Sequence, residues 1–183
     1  MAQSVTPPEY RRNVEKLRDL IQDVKIAMLS TVDDAGQIRS RPMGTQQVEF
    51  DGDLWFFTAD DSAKAAEVQA TQQVNVSYAA PDKNRYVSVS GRASLVHDKD
   101  KMEELWNPIY KVWFPDGLDD PRLTLLKVEV QQAEYWEAPA GAGGAVATVI
   151  GFVQGVVNGE QPDVGENEKL EFNQHTELSS SQK

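Results

Sequence analysis

Apolar residues recur at helical spacing near the start of the chain. After Pro7 and Pro8, the residues Val14, Leu17, Leu20, Ile21 and Val24 share one face, which predicts an amphipathic helix over 8–24. Proline's fixed φ suits the first turn of such a helix. From Ile26 the period changes. IAMLSTV is a short apolar run closed by DDAGQ; IRSRPMGTQQVEF and LWFFT follow, separated by DGD, and together they read as a strand meander. Pro42 has no amide N–H to give a ladder, so its strand belongs at an edge, a bulge or a break. DSAKAAEVQAT (61–71) is rich in alanine and predicts a helix. QVNVSYA and YVSVSGRASLV alternate with period two around PDKNR, with Ser88 and Ser90 on one face and Val87 and Val89 on the other. DKDKMEELW (98–106) predicts a short helix, and NPIYKVWFPDGLDDPR an aromatic, proline-rich loop. LTLLKVEVQQAEYWEA predicts a long last strand with room for a bulge.

Six or so sequential antiparallel strands with helices between them point to a mainly β, α+β fold: a closed or nearly closed six-stranded barrel with flanking helices. The barrel domain is expected to span 1–139. Beyond Pro139, GAGGA reads as a hinge and AVATVIGFVQGVV as a short helix weakened by Gly151 and Gly155. From Gly159 the chain reads as an acidic tail, with disorder expected over its last ten residues.

Composition narrows the function. The 183 residues carry 29 acidic and 18 basic side chains, a net charge of −11, and such a field repels nucleic-acid backbones. There is no cysteine, which removes disulfides, thiolate catalysis and iron–sulfur ligation. No apolar run approaches the roughly 20 residues of a membrane span, and MAQSVTPPEYRR lacks the apolar core of a signal peptide. A cytoplasmic protein with no membrane or nucleic-acid partner is expected.

Two segments carry candidate chemistry. In FFTADDSAK a strand runs into a helix start, with Ser62 at its head and Lys64 in its first turn. Free helix amides, a hydroxyl and a lysine make a phosphate cradle; a capped surface helix explains the same residues. In IRSRPMG, Arg39 and Arg41 alternate and share a face, where a guanidinium could reach a phosphate or simply protect a sheet edge. Trp106, Trp113, Phe114, Tyr135 and Trp136 gather in the second half and suit either a slot for a planar ring or core packing. The two histidines, His97 and His175, have no credible second arm for a metal site. No carboxylate pair stands out as acid and base, so no catalytic residue is assigned.

In order, R-P-M, W-F-F-T, S-x-K, Y-V-S-V-S-G, the W-F-P-x-G loop and E-Y-W resemble the general stress protein branch of the pyridoxamine 5′-phosphate oxidase-like flavoproteins over residues 8–139. Gly159, Glu160, Asp163, Gly165 and Glu166 are similar to that branch's ending. The resemblance implies a split β-barrel, usually a homodimer, with FMN (alternatively FAD) at the subunit interface. It places Arg41, Ser62 and Lys64 on the phosphate, and Pro42 and Met43 beside the isoalloxazine ring. Phe57 and Thr58 fall on the ribityl chain. Trp136 is expected to reach the ring from the partner subunit, and Trp113 is a looser ring contact. Pyridoxamine phosphate oxidases carry basic residues after the E-x-W tryptophan. Here Trp136 is followed by EAPAGAGGA, so vitamin B6 oxidation is not expected. The implied function is a flavin-binding stress protein with weak oxidoreductase chemistry on an unidentified substrate. The alternatives are a flavin-sequestering or protein-interaction module on the same dimeric barrel and, further off, a deazaflavin-using or haem-degrading relative.

Overall fold

The computed structural model describes residues 5–46, 50–137 and 166–172. Helix α1 (Pro7–Ile21) opens on its prolines and buries Leu17, Leu20 and Ile21. It stops three residues before the sequence pattern does, although Val24 still packs into the core. Strands β1 (Ile26–Val32) and β2 (Ile38–Gly44) form the first hairpin. Its turn is held by Asp33, whose Oδ1 accepts from the amides of Ala35 at 3.0 Å and Gln37 at 2.8 Å. β3 (Asp53–Ala59) leads into α2 (Ala63–Ala70). Then come β4 (Gln73–Ala80), β5 (Arg85–Val96), α3 (Lys99–Leu105), β6 (Leu123–Glu137) and β7 (Glu166–Glu171).

The sheet order is β2-β1-β4-β5-β6-β3, all neighbours antiparallel. β2 lies at one edge, where the missing N–H of Pro42 costs no ladder bond. β3 lies at the other edge of this path. The two edges approach each other without a hydrogen-bonded ladder, and this leaves the half-barrel split. β6 is long enough to serve two neighbours along one edge: Leu123–Glu129 pair with β3, and Gln132–Glu137 pair with β7. Against β5 its register shifts between Ser90 and Gly91, with Gln131 as the extra residue of a bulge.

β7 lies within the stretch read from sequence as an acidic tail. Its alternation explains its place. Leu170 and Phe172 are buried, while Glu168 accepts a hydrogen bond from the buried Tyr135 hydroxyl at 2.9 Å. Phe172 meets Tyr10 of α1 edge-on at 6.0 Å, and Asn13 Nδ2 donates to the Glu171 carbonyl at 2.7 Å. The hinge, the candidate helix and the last eleven residues lie outside the described residues.

The main core fills the half-barrel, with Leu29, Phe56, Val76, Val89, Leu126 and Val128 at its centre. A second cluster lies under α3 and the aromatic loop, built from Phe57, Met102, Leu105, Phe114, Leu123 and Leu125. Alternation along β3 sends Phe56 into one cluster and Phe57 into the other. Among the described residues no helix is long and apolar enough to cross a membrane.

Candidate functional site at the split

The split is crossed by α2, which follows β3, packs against β1 and β5 and meets the β2 edge through its Glu67. Its start is set by Ser62, an extended residue whose hydroxyl accepts from the Ala65 amide at 3.3 Å. The same hydroxyl lies 3.3 Å from that of Thr58, at the end of β3. The first-turn amides of α2 have no intrahelical acceptor and carry the positive end of the dipole. Lys64 sits in this turn, half-buried. Burial, and then the nearby Arg41 cation, pull its pKa below the ordinary lysine range; Glu67 opposes them only in part. Among the described residues, no carboxylate lies within ion-pair distance of its ammonium.

Arg41 comes from β2, opposite Leu29, and points to the inner side of the sheet. Its Nη1 donates to Glu67 Oε2 at 2.6 Å and to Thr31 Oγ1 at 2.9 Å, and its Nη2 donates to Glu67 Oε1 at 3.3 Å. Thr31 donates its own proton to Glu67. Arg41 and Thr31 hold the Glu67 carboxyl below the usual glutamate range, the guanidinium contributing most. This pair ties the β2 edge to the helix after β3. Arg39, on the same face, turns instead to Asp33 at 2.8 Å and Gln37 at 2.9 Å, and so secures the hairpin.

On the face of β3 opposite to Thr58 lies a run of rings. Phe57 packs against Trp106 at 5.5 Å and Tyr110 at 4.9 Å, and Tyr110 continues to Trp113 at 6.4 Å. Gln46 Nε2 donates to the Tyr110 hydroxyl at 3.0 Å, which draws the aromatic loop towards the end of β2. Trp113 is 63% exposed.

The structure therefore gathers Arg41, Thr58, Ser62 and Lys64 at one place, with Phe57 and Trp113 on an aromatic run on the other face of β3. Pro42 is exposed on the β2 edge, whereas Met43 is buried in the barrel core. Trp136 is elsewhere. It pairs with Tyr86 on the outer face of the sheet, opposite to the inner face that carries Arg41. Around it the outer face exposes Ile26, Met28 and Tyr86. A groove of about 260 Å³ there is lined by Met28, Ser77, Ala79, Tyr86, Ser88 and Trp136, among others. Thr31, Glu67 and Tyr110 were not marked by the sequence reading. The i, i+3 spacing of Lys64 and Glu67 on one helix was the available signal for Glu67; Thr31 gave none.

The donor set suits a phosphate ester. One cation is paired with a carboxylate and a second, Lys64, lies near it without an ion-pair partner among the described residues, beside a hydroxyl-capped helix start. Among the described residues no cluster of His, Asp and Glu is arranged to hold a metal ion.

Comparison with known proteins agrees with this architecture. Protein bli-3 of Neurospora crassa is 31% identical over 163 residues, covering 84% of this chain and 77% of that protein. A Jannaschia sp. CCS1 structure assigned to general stress protein 26 superposes with a TM-score of 0.66 at 26% identity, covering 89% of this chain and 99% of the other. The general stress FMN/FAD binding protein of Xanthomonas citri gives a TM-score of 0.62 at 26% identity, covering 72% and 92%. Both structures carry the split-barrel fold of the general stress proteins. Residues 12–163 match the family described as pyridoxamine 5′-phosphate oxidase like, and the chain belongs to that family.

Proposed function

We propose that this protein binds a flavin nucleotide, FMN in the first place, with its phosphate between β2 and the start of α2, where α2 crosses the split. The observation that carries the reading is Lys64, a half-buried ammonium beside a second cation and with no ion-paired carboxylate among the described residues. Such a charge is costly unless an anion completes the site. Lys64, the α2 amides and the remaining N–H groups of Arg41 would hold the phosphate, and Ser62 and Thr58 would offer hydroxyls to the chain that leads from it. Phe57, with the Tyr110 and Trp113 rings behind it, would exclude water from one side. When bound, the flavin supplies the redox chemistry, and the protein's part is to bind, orient and shield it. No side chain is assigned as a proton donor. Oxidation of pyridoxamine 5′-phosphate is not part of the proposal.

Titration of the wild type and Lys64→Ala with FMN and with riboflavin tests this. A lost charge-assisted bond costs about 1.5–3 kcal/mol, so FMN affinity should fall by roughly one to two decades while riboflavin affinity holds. Equal weakening of both ligands would remove Lys64 from the phosphate.

The reading includes a homodimer formed through the outer sheet face. Its support is the exposed group of Ile26, Met28, Tyr86 and Trp136, arranged around a groove on an otherwise ordered sheet. Trp136 also points outward from the sheet, away from the face that carries its own chain's Arg41. Sedimentation equilibrium at micromolar concentration should give twice the 20.4 kDa chain mass. A protein that stays monomeric while binding FMN tightly would contradict the shared site.

A further inference from the structure

We propose that Glu67 is a resident counter-anion: it occupies the Arg41 fork in the free protein and competes with an incoming phosphate for it, so that it sets the affinity for phosphorylated ligands. The inference rests on the anion-binding part of the function proposed above, though not on the anion's being a flavin's.

The geometry of the pair is the first support. A guanidinium's paired N–H groups match a carboxylate and a phosphate equally well. In this protein both Nη atoms of Arg41 are turned to Glu67, at 2.6 and 3.3 Å. The contact is sheltered, with side-chain exposures of 24% for Arg41 and 11% for Glu67. A phosphate using the same fork must displace the carboxylate or share the guanidinium with it.

The charge balance is the second. A lock between β2 and α2 needs one cation and one anion. Lys64, one helical turn before Glu67, adds a second half-buried cation that interacts unfavourably with Arg41. Arg41, Lys64 and Glu67 together carry one net positive charge. A phosphate would relieve the crowding of the two cations, while Glu67 weakens its hold on one of them.

Thr31 is the third. Its hydroxyl bonds both Glu67 and Arg41. When Arg41 turns to another anion, the Thr31 proton remains with Glu67 and keeps the carboxylate from being stranded. Asp33 adds a further unfavourable charge near Glu67, so the carboxylate depends on Arg41 and Thr31.

The test is titration of the wild-type protein and Glu67→Gln with inorganic phosphate, FMN and riboflavin. Glutamine keeps the side chain's size and can still accept from Thr31. Phosphate and FMN should bind about tenfold tighter to the variant, the value of roughly one charge-assisted bond, and riboflavin should not change. Damage to the fold would not produce a gain confined to phosphate-bearing ligands. Equal or weaker phosphate binding by the variant would make Glu67 a structural lock only and overturn the proposal. A tenfold gain for phosphate, with FMN bound by neither protein, would uphold it and refute the flavin reading instead. In the wild type, the carboxyl ¹³C signal of Glu67 gives an independent measurement. With phosphate bound, its titration midpoint should rise towards the ordinary glutamate range, as the Arg41 hydrogen bonds that depress it are lost. A midpoint unmoved by bound phosphate would also overturn the proposal.

Discussion

Gly91→Ala should lower the melting temperature by roughly 6–12 °C or more, or prevent folding. Gly91 sits in β5 at the register shift against β6. A Cβ there would lie 2.3 Å from the Glu129 carbonyl oxygen and 2.9 Å from Val128 Cγ1. The oxygen belongs to backbone in the middle of the sheet and cannot swing aside as a long side chain could. Overpacking of this kind costs about 3 kcal/mol or more, and each kcal/mol is worth about 2–4 °C in a chain of this size. Gly36→Ala is the useful contrast. Gly36 has φ +76° in the β1–β2 turn, but nothing lies within 4 Å of the added carbon. It should cost only about 1 kcal/mol, the strain of a left-handed residue. Thermal melts of the two variants decide the matter: equal shifts would mean that the bulge relaxes to make room.

Tyr135→Ala should cost on the order of 3–5 kcal/mol, the usual loss for a large buried ring. Tyr135 has no exposed surface, and Lys16 of α1 lies 4.6 Å from its ring centre. Its hydroxyl donates to Glu168 of β7. Burial, then the Glu168 hydrogen bond and charge, hold the phenol well above the ordinary tyrosine range. One residue thus joins the barrel, the first helix and the last strand. Tyr135→Phe keeps the ring and loses a single hydrogen bond to an exposed partner, so it should cost about 1 kcal/mol. Urea midpoints measure both losses. Hydrogen exchange adds a local readout: the β7 amides should lose protection in both variants before those of β4 and β5 do. A loss under 1 kcal/mol for Tyr135→Ala would show that β7 and α1 pack without this anchor.

Local chemistry in the sequence determined most of the elements. Period-two alternation placed β4 and β5, the Ser62 cap and alanine content placed α2, and Pro42 limited β2 to an edge, a bulge or a break, because each of these is a preference of the chain over a few residues. The same reading picked out Arg41, Ser62 and Lys64, since a lysine in the first turn of a helix and an arginine on a strand are visible one by one. What they do together was decided only by the tertiary structure. Residues 41 and 64 belong to elements at opposite sides of the split, and α2 unites them by folding back across β1. The i, i+3 spacing marked Glu67 as a neighbour of Lys64, yet its actual partners are Arg41 and Thr31, from strands that sequence spacing cannot bring near. β7 was hidden for a related reason. ENEKLE carries too few apolar residues to announce a strand, and it becomes one because β6 runs on past β3 and leaves an unpaired edge, with α1 and Tyr135 ready to receive Leu170, Phe172 and Glu168. Backbone hydrogen bonding and burial at that edge outweigh a weak local preference, and only the assembled sheet supplies them.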